Sequence, residues 1–136
     1  MHHLGPLGAG EVAKSCNQMV VAATMLALGE TTVLGEESGI APAKLLEVLG
    51  GGYAGFTLLQ AKKDMLINDD FTPGGIAAYM LKDLGFASEV AVSTGASPVL
   101  LPALLSSYQE LVDAGLGNED LAVVKKFIQQ RSYQLP

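Results

Sequence analysis

Apolar positions recur every three to four residues through most of the chain, and no stretch alternates cleanly between apolar and polar. That period belongs to helices that bury one face, so the pattern predicts an all-α chain without a sheet. Six helical segments emerge, most of them closed by glycine or opened by proline. The first covers residues 11–37, where Ser38-Gly39 offers a left-handed C-cap. At about 1.5 Å per residue it would be roughly 40 Å long, enough to serve as a central post. Ala22, Ala23, Ala27 and Gly29 keep its surface small, which lets other helices approach closely. A short helix follows over residues 42–49, opened by Pro42 and broken by Gly50-Gly51-Gly52. A third covers residues 54–67 and gives way to the turn-rich stretch from Asn68 to Gly75. A fourth, over residues 76–94, ends at Gly95. Ser97-Pro98 is expected to open a fifth as N-cap and first-turn proline, and Asn118 to cap a sixth over residues 119–131. The expected architecture is a single helical domain packed around its first helix.

Composition sharpens this picture. A chain of 136 residues, 49% of them hydrophobic, is long enough to bury one core. Eight basic residues stand against fourteen acidic ones, a net charge of −6, and no basic run forms a patch. The balance argues against a nucleic-acid or anionic-membrane partner, although single lysines can still hold a small anion. Cys16 is the only cysteine, which excludes a disulfide framework and a thiolate metal site and suits a reducing cytoplasm. The apolar run over residues 19–28 is closed by Glu30 and falls short of the roughly 20 residues that span a bilayer. No basic-then-apolar leader is present, so a cytoplasmic location is expected.

Candidate chemistry is concentrated near the start of the long helix. Residues three and four apart share a helical face, so Lys14, Asn17 and Gln18 project together. An ammonium and two carboxamides can bind a hydroxyl, a carbonyl or a carboxylate; the same trio also fits a solvated face. The preceding Gly5, Gly8 and Gly10 form GxxGxG rather than the dinucleotide fingerprint GxGxxG, and no strand precedes them. They suit a close backbone approach to a ligand or a simple turn into the helix. Lys82 and Asp83 lie among apolar neighbours in the fourth helix, as an exposed stripe or a site. Asp69-Asp70 reads as a turn pair rather than a metal site, Ser106-Ser107 as helix surface, and His2-His3 as tail.

The string from Gly5 through Lys14 to Asn17-Gln18 resembles the GxxGxGxxxKxxN(N/Q) signature that opens the C-terminal domain of the β-hydroxyacid dehydrogenases. These include 3-hydroxyisobutyrate dehydrogenase and tartronate semialdehyde reductase and, more distantly, 6-phosphogluconate dehydrogenase. The resemblance continues through Ala27-Leu28-Gly29-Glu30, Gly39-Ile40-Ala41-Pro42, the turn from Gly51 to Gly55, Phe71-Thr72-Pro73-Gly74 and Lys82-Asp83-Leu84. It covers nearly the whole chain in order. It implies the helical fold of the 6-phosphogluconate dehydrogenase C-terminal domain. It also implies hydride transfer between NAD or NADP and a small 3-hydroxy acid or its semialdehyde. Lys14 would be the catalytic acid/base, Asn17 and Gln18 would bind substrate, and Lys82, Gly8 and Gly10 would meet the cofactor.

Two departures from the family pattern stand out. Gln18 replaces the second asparagine, which resembles tartronate semialdehyde reductases and leans the substrate toward small semialdehydes. Yet Gly75-Ile76-Ala77-Ala78 stands where those enzymes commonly carry Phe-Arg-x-Asp, leaving Tyr79 as the nearest aromatic. The family's N-terminal Rossmann half has no counterpart in this sequence, so residues 1–10 read as an interdomain segment and residues 11–136 as the helical domain. On that reading the chain is an excised domain, or a product of proteolysis, of a full-length enzyme, inactive alone, with NAD-versus-NADP choice residing elsewhere. Its uncovered surface would favour a homodimer, by exchange of helices among other routes. The competing reading is a helical dimerisation module without catalysis of its own.

Overall fold

A computed structural model describes residues 8–132; Gly5 and the two histidines lie outside the described residues. Six helices follow one another: α1 (Ala9–Glu37), α2 (Pro42–Gly50), α3 (Thr57–Asn68), α4 (Ala77–Thr94), α5 (Leu100–Asp113) and α6 (Val124–Ser132). A single 3-10 turn, Leu121–Val123, leads into α6. Among the described residues there is no strand, only one isolated bridge between Ile76 and Asp120.

The 29-residue α1 is the post, and every other helix touches it. Ala22, Met25 and Leu28 point from α1 into a core shared with Leu59 and Leu66 of α3, Met80 and Leu84 of α4, Leu104 and Tyr108 of α5, and Phe127 of α6. The small residues on α1 set how closely the partners come. A Cβ on Gly29 would stand 2.8 Å from Val124 Cγ2 and 3.2 Å from the Lys125 backbone nitrogen, so α6 crosses here on bare backbone. Polar groups inside the core are paired. The Tyr108 hydroxyl donates to the Ala22 carbonyl at 2.8 Å, and burial raises the phenol's pKa far above its ordinary value. The buried Lys125 ammonium donates to the Leu66 carbonyl at 2.6 Å and pairs with Glu36 and Asp69, each at 2.8 Å.

By length and composition α1 could cross a membrane, because averaging over a window tolerates Glu30. Ala22, Met25 and Leu28 of this helix instead belong to the buried helical core. Gly39 closes α1 in the left-handed region with φ 86°, and Gly95 does the same after α4 with φ 78°, as the sequence leads one to expect.

Four boundaries differ from expectation. α1 begins at Ala9 rather than Glu11, so Ala9 and Gly10 belong to the helix and not to the preceding segment, because Gly8 already takes the N-cap position. α3 begins at Thr57 rather than near Ala54 because the chain first doubles back: Gly55 donates to the Gly52 carbonyl at 2.9 Å. A Cβ on Gly55 would fall on the Gly50 carbonyl, so this turn needs glycine. α5 begins at Leu100, and Ser97 makes no cap: Val99 fills that position with no side-chain hydrogen bond. Asn118 caps nothing. Asp120 does, accepting from the Ala122 amide, and the final helix splits into the 3-10 turn and α6.

Candidate functional site

Antiparallel packing of α1 and α4 leaves a cleft near the N-terminal half of α1. It has a volume of about 590 Å³ and is lined by Lys14, Gln18 and Val21 of α1 and by Tyr79, Met80, Lys82 and Asp83 of α4. Gly75 and Ile76 of the loop before α4 and Leu121 of the 3-10 turn supply a third wall. The spacing explains the convergence: positions 14, 18 and 21 share one face of α1, and 79, 82 and 83 share one face of α4. A second recess of about 230 Å³ shares Lys14, Gln18, Lys82 and Asp83 and adds Glu11, Ser15 and Phe86. The structure thus brings together Lys14, Gln18 and Lys82, which lie up to 68 positions apart in sequence.

Neither Lys14 nor Lys82 forms an ion pair with another described residue, although Glu11 and Asp83 line the same recess. Both ammonium groups are exposed. The amide of Gln18 has a defined orientation. Its Nε2 donates to Asp83 Oδ2 at 2.9 Å, and its Oε1 accepts from Asn17 Nδ2 at 3.2 Å. A carboxylate only accepts, so Nε2 must face Asp83, and its second N–H is left for another acceptor. Asn17 is exposed and belongs to neither recess; it reaches the cleft only by steadying Gln18. Gly8 and Gly10 also lie outside both linings. Gly8 takes the left-handed N-cap position of α1 with φ 90°, and a Cβ there would meet nothing within 4 Å. Its glycine answers to backbone conformation, not to crowding.

Sequence reasoning missed a residue behind the third wall, one that lines neither recess. Asp120 is fully buried, and its Oδ1 accepts from the amides of Gly74 at 3.1 Å and Gly75 at 3.0 Å and from Lys62 Nζ at 3.0 Å. Its Oδ2 accepts from the Ala122 amide at 2.9 Å and again from Lys62. Burial pushes this carboxyl's pKa up, but the backbone donors and the lysine outweigh it and hold it below the usual value. Asp120 followed two residues later by a free helical N–H is an Asx-cap pattern that the sequence does offer; its partners 45 and more residues away it does not. Asp69 and Asp70 form the expected turn: Asp69 is left-handed with φ 52°, and Asp70 Oδ1 accepts from the Thr72 amide and hydroxyl.

Two ammoniums and an amide N–H beside an apolar wall of Val21, Ile76, Met80 and Leu121 form a donor-rich, one-sided site. Such a set fits a small oxygen-bearing anion with an adjoining apolar part.

Known proteins carry the same domain. A family model described as NAD-binding of NADP-dependent 3-hydroxyisobutyrate dehydrogenase matches residues 8–128. An NAD-dependent L-serine dehydrogenase of Pseudomonas aeruginosa is 32% identical over 131 residues, covering 91% of this chain and 44% of the relative. The solved 3-hydroxyisobutyrate dehydrogenase of Mycobacterium tuberculosis with L-serine superposes with a TM-score of 0.84 at 30% identity, over 93% of this chain and 46% of that one. The Salmonella typhimurium 3-hydroxyisobutyrate dehydrogenase shares the fold with a TM-score of 0.83 at 23% identity, over 88% of this chain and 42% of that one. The chain therefore spans less than half the length of these relatives. Over nearly its whole length it belongs to the 3-hydroxyisobutyrate dehydrogenase family.

Proposed function

We propose that this chain is the helical, substrate-binding part of an NAD(P)-dependent dehydrogenase acting on a small 3-hydroxy acid or the matching semialdehyde. The observation that carries the reading is the meeting of Lys14, Gln18 and Lys82 in one cleft beside an apolar wall. When bound, the nicotinamide supplies or accepts the hydride. Lys14 Nζ hydrogen-bonds the reacting oxygen: in reduction it stabilises the carbonyl and gives a proton to the oxygen, and in oxidation it takes the hydroxyl proton. Gln18, aimed by Asp83 and Asn17, donates to a second substrate oxygen. Lys82 adds a positive charge for a carboxylate or a cofactor phosphate. Efficient proton transfer needs water kept out of the cleft, and the exposure of Lys14 shows that α1 and α4 do not do this unaided. On this reading the residues ahead of α1, up to its N-cap Gly8, join the helical domain to a dinucleotide-binding half.

The test is a chimera in which this chain replaces the matching part of the Pseudomonas aeruginosa L-serine dehydrogenase, assayed by NADH formation with L-serine and with 3-hydroxyisobutyrate. Turnover with either substrate is expected, together with a loss of about 10²–10⁴ in kcat for Lys14→Ala. A folded, cofactor-binding chimera that turns over equally well without Lys14 would sink the reading.

A second reading rests on its own observation. Ala13, Val20, Ala27 and Leu34 stand seven residues apart along one exposed stripe of α1, with Val20 at 65% and Leu34 at 69% exposure. A spacing of seven keeps a seam on one side of a helix, the arrangement that pairs helices. A homodimer through this stripe is compatible with the dehydrogenase reading and would equally serve a pure association module.

A further inference from the structure

The loop that forms the third wall of the cleft is not held by its own helices. Between Phe71 and Ile76 the chain runs through Thr72-Pro73-Gly74-Gly75, and residues 72–75 are exposed. Apart from the local bonds of Thr72 to Asp70, its bonds go to the distant segment from Gly117 to Leu121. The Asp120 amide donates to the Phe71 carbonyl at 3.0 Å, the Leu121 amide to the Gly75 carbonyl at 2.8 Å, and the Ala77 amide to the Glu119 carbonyl at 3.0 Å. At the centre is the Asp120 carboxylate, on which three backbone N–H groups and the Lys62 ammonium converge.

We propose that Asp120, paired with Lys62, is a positioning residue that fixes the Gly75–Ile76 wall of the cleft lined by Lys14. The claim rests on the cleft being the substrate site. The chemistry favours a carboxylate at this point over any neutral group. Four donor groups make five contacts, three on Oδ1 and two on Oδ2, so both oxygens must accept, which an ionised aspartate allows and an asparagine does not. In Asp120→Asn the amide nitrogen must face either the Gly74 and Gly75 N–H groups or the Ala122 N–H, donor against donor. Lys62 comes from α3, which supplies no residue to either cleft lining, so its ion pair connects that helix to the wall. Hydrogen bonds to charged acceptors are about twice as strong as neutral ones, so losing the charge should loosen this wall before the rest of the domain.

The test uses the chain itself, with amide hydrogen exchange read by NMR in the wild type, Asp120→Asn, Lys62→Met and Lys62→Arg, and L-serine as the probe. Lys62→Met leaves Asp120 and its backbone donors in place, which guards against Asp120→Asn failing to fold. Exchange at Gly74, Gly75 and Leu121 is expected to quicken at least about tenfold in both disrupting variants, the effect of losing roughly one good hydrogen bond. The α1 amides of Ala22 and Met25 should keep their protection, and Lys62→Arg should restore most of the loss. L-serine should perturb Lys14, Gly75 and Ile76 in the wild type and bind about tenfold more weakly to the disrupted variants. Equal acceleration everywhere would reduce Asp120 to a stability residue and overturn the proposal, as would a loosened loop with undiminished L-serine binding. A wild type that ignores L-serine overturns the substrate reading alone, and the exchange pattern then decides whether Asp120 holds the wall.

Discussion

Gly29 illustrates how much of this molecule turns on single atoms. The backbone of α6 passes so close that a methyl group would meet Val124 Cγ2 at 2.8 Å and the carbonyl carbon of Val124 at 3.2 Å. The first contact can be relieved by a rotamer; the second is backbone and cannot move without shifting the helix. Gly29→Ala is therefore expected to destabilise by about 1–3 kcal/mol even though alanine is the better helix former, because overpacking outweighs a propensity gain of about 1 kcal/mol. Thermal unfolding checks this, and a raised Tm would show that α6 yields more easily than its contacts indicate. At the same scale, the sequence made Lys14, Gln18 and Lys82 legible as candidates because helical spacing and a familiar signature both marked them. It could not give the orientation of Gln18, which depends on Asp83 lying 65 positions away, nor the role of Asp120. Long-range hydrogen bonds leave no local pattern to read.

Among the helices, boundaries set by backbone conformation were readable and boundaries set by tertiary contact were not. Gly39 and Gly95 stop α1 and α4 where a left-handed residue is required. Ser97-Pro98 has the composition of a helix start, yet α5 begins later because no Ser97 side-chain bond forms. The junction of α1, α3 and α6 depends on Lys125, whose ammonium reaches the Leu66 carbonyl at the end of α3 as well as Glu36 and Asp69. Lys125→Met keeps the aliphatic stem and removes the charge. Glu36 and Asp69 are partly exposed and can be rehydrated, whereas the Leu66 carbonyl loses its buried ammonium donor. The expected cost is thus near that of one unsatisfied buried group, about 1–3 kcal/mol, rather than that of a stranded buried ion pair. Urea unfolding with an unchanged m-value would measure it; a neutral result would mean the Leu66 carbonyl finds another donor.

For the molecule as a whole, the apolar stripe on α1 is the feature that a lone helical domain does not explain. Replacing Val20 and Leu34 together with lysine removes apolar area from the stripe and leaves the core untouched, since both side chains are exposed. Light scattering should show a dimer for the wild type and a monomer for the double variant, with the helical content unchanged. A wild type that stays monomeric at high concentration would end the association reading without touching the catalytic one. The all-helical class and the central post were legible because periodicity and capping agree along the chain. The cleft was not, because it exists only where α1, α4, the loop before α4 and the 3-10 turn meet.

The tie between residues 71–76 and 117–121 also governs what a cut in the chain would do. A break in the exposed stretch over residues 72–75 would separate α1–α3 from α4–α6 covalently while leaving α1 packed against both α4 and α6. Phe71 would keep its bond to Asp120 on one side of the break, and Ala77 its bond to Glu119 on the other. The domain is in this sense two complementary pieces that meet through α1 and through the bonds of Lys62 and Lys125 around α3. Either piece, made separately, carries half of a lysine pair whose members meet only when the two are reassembled.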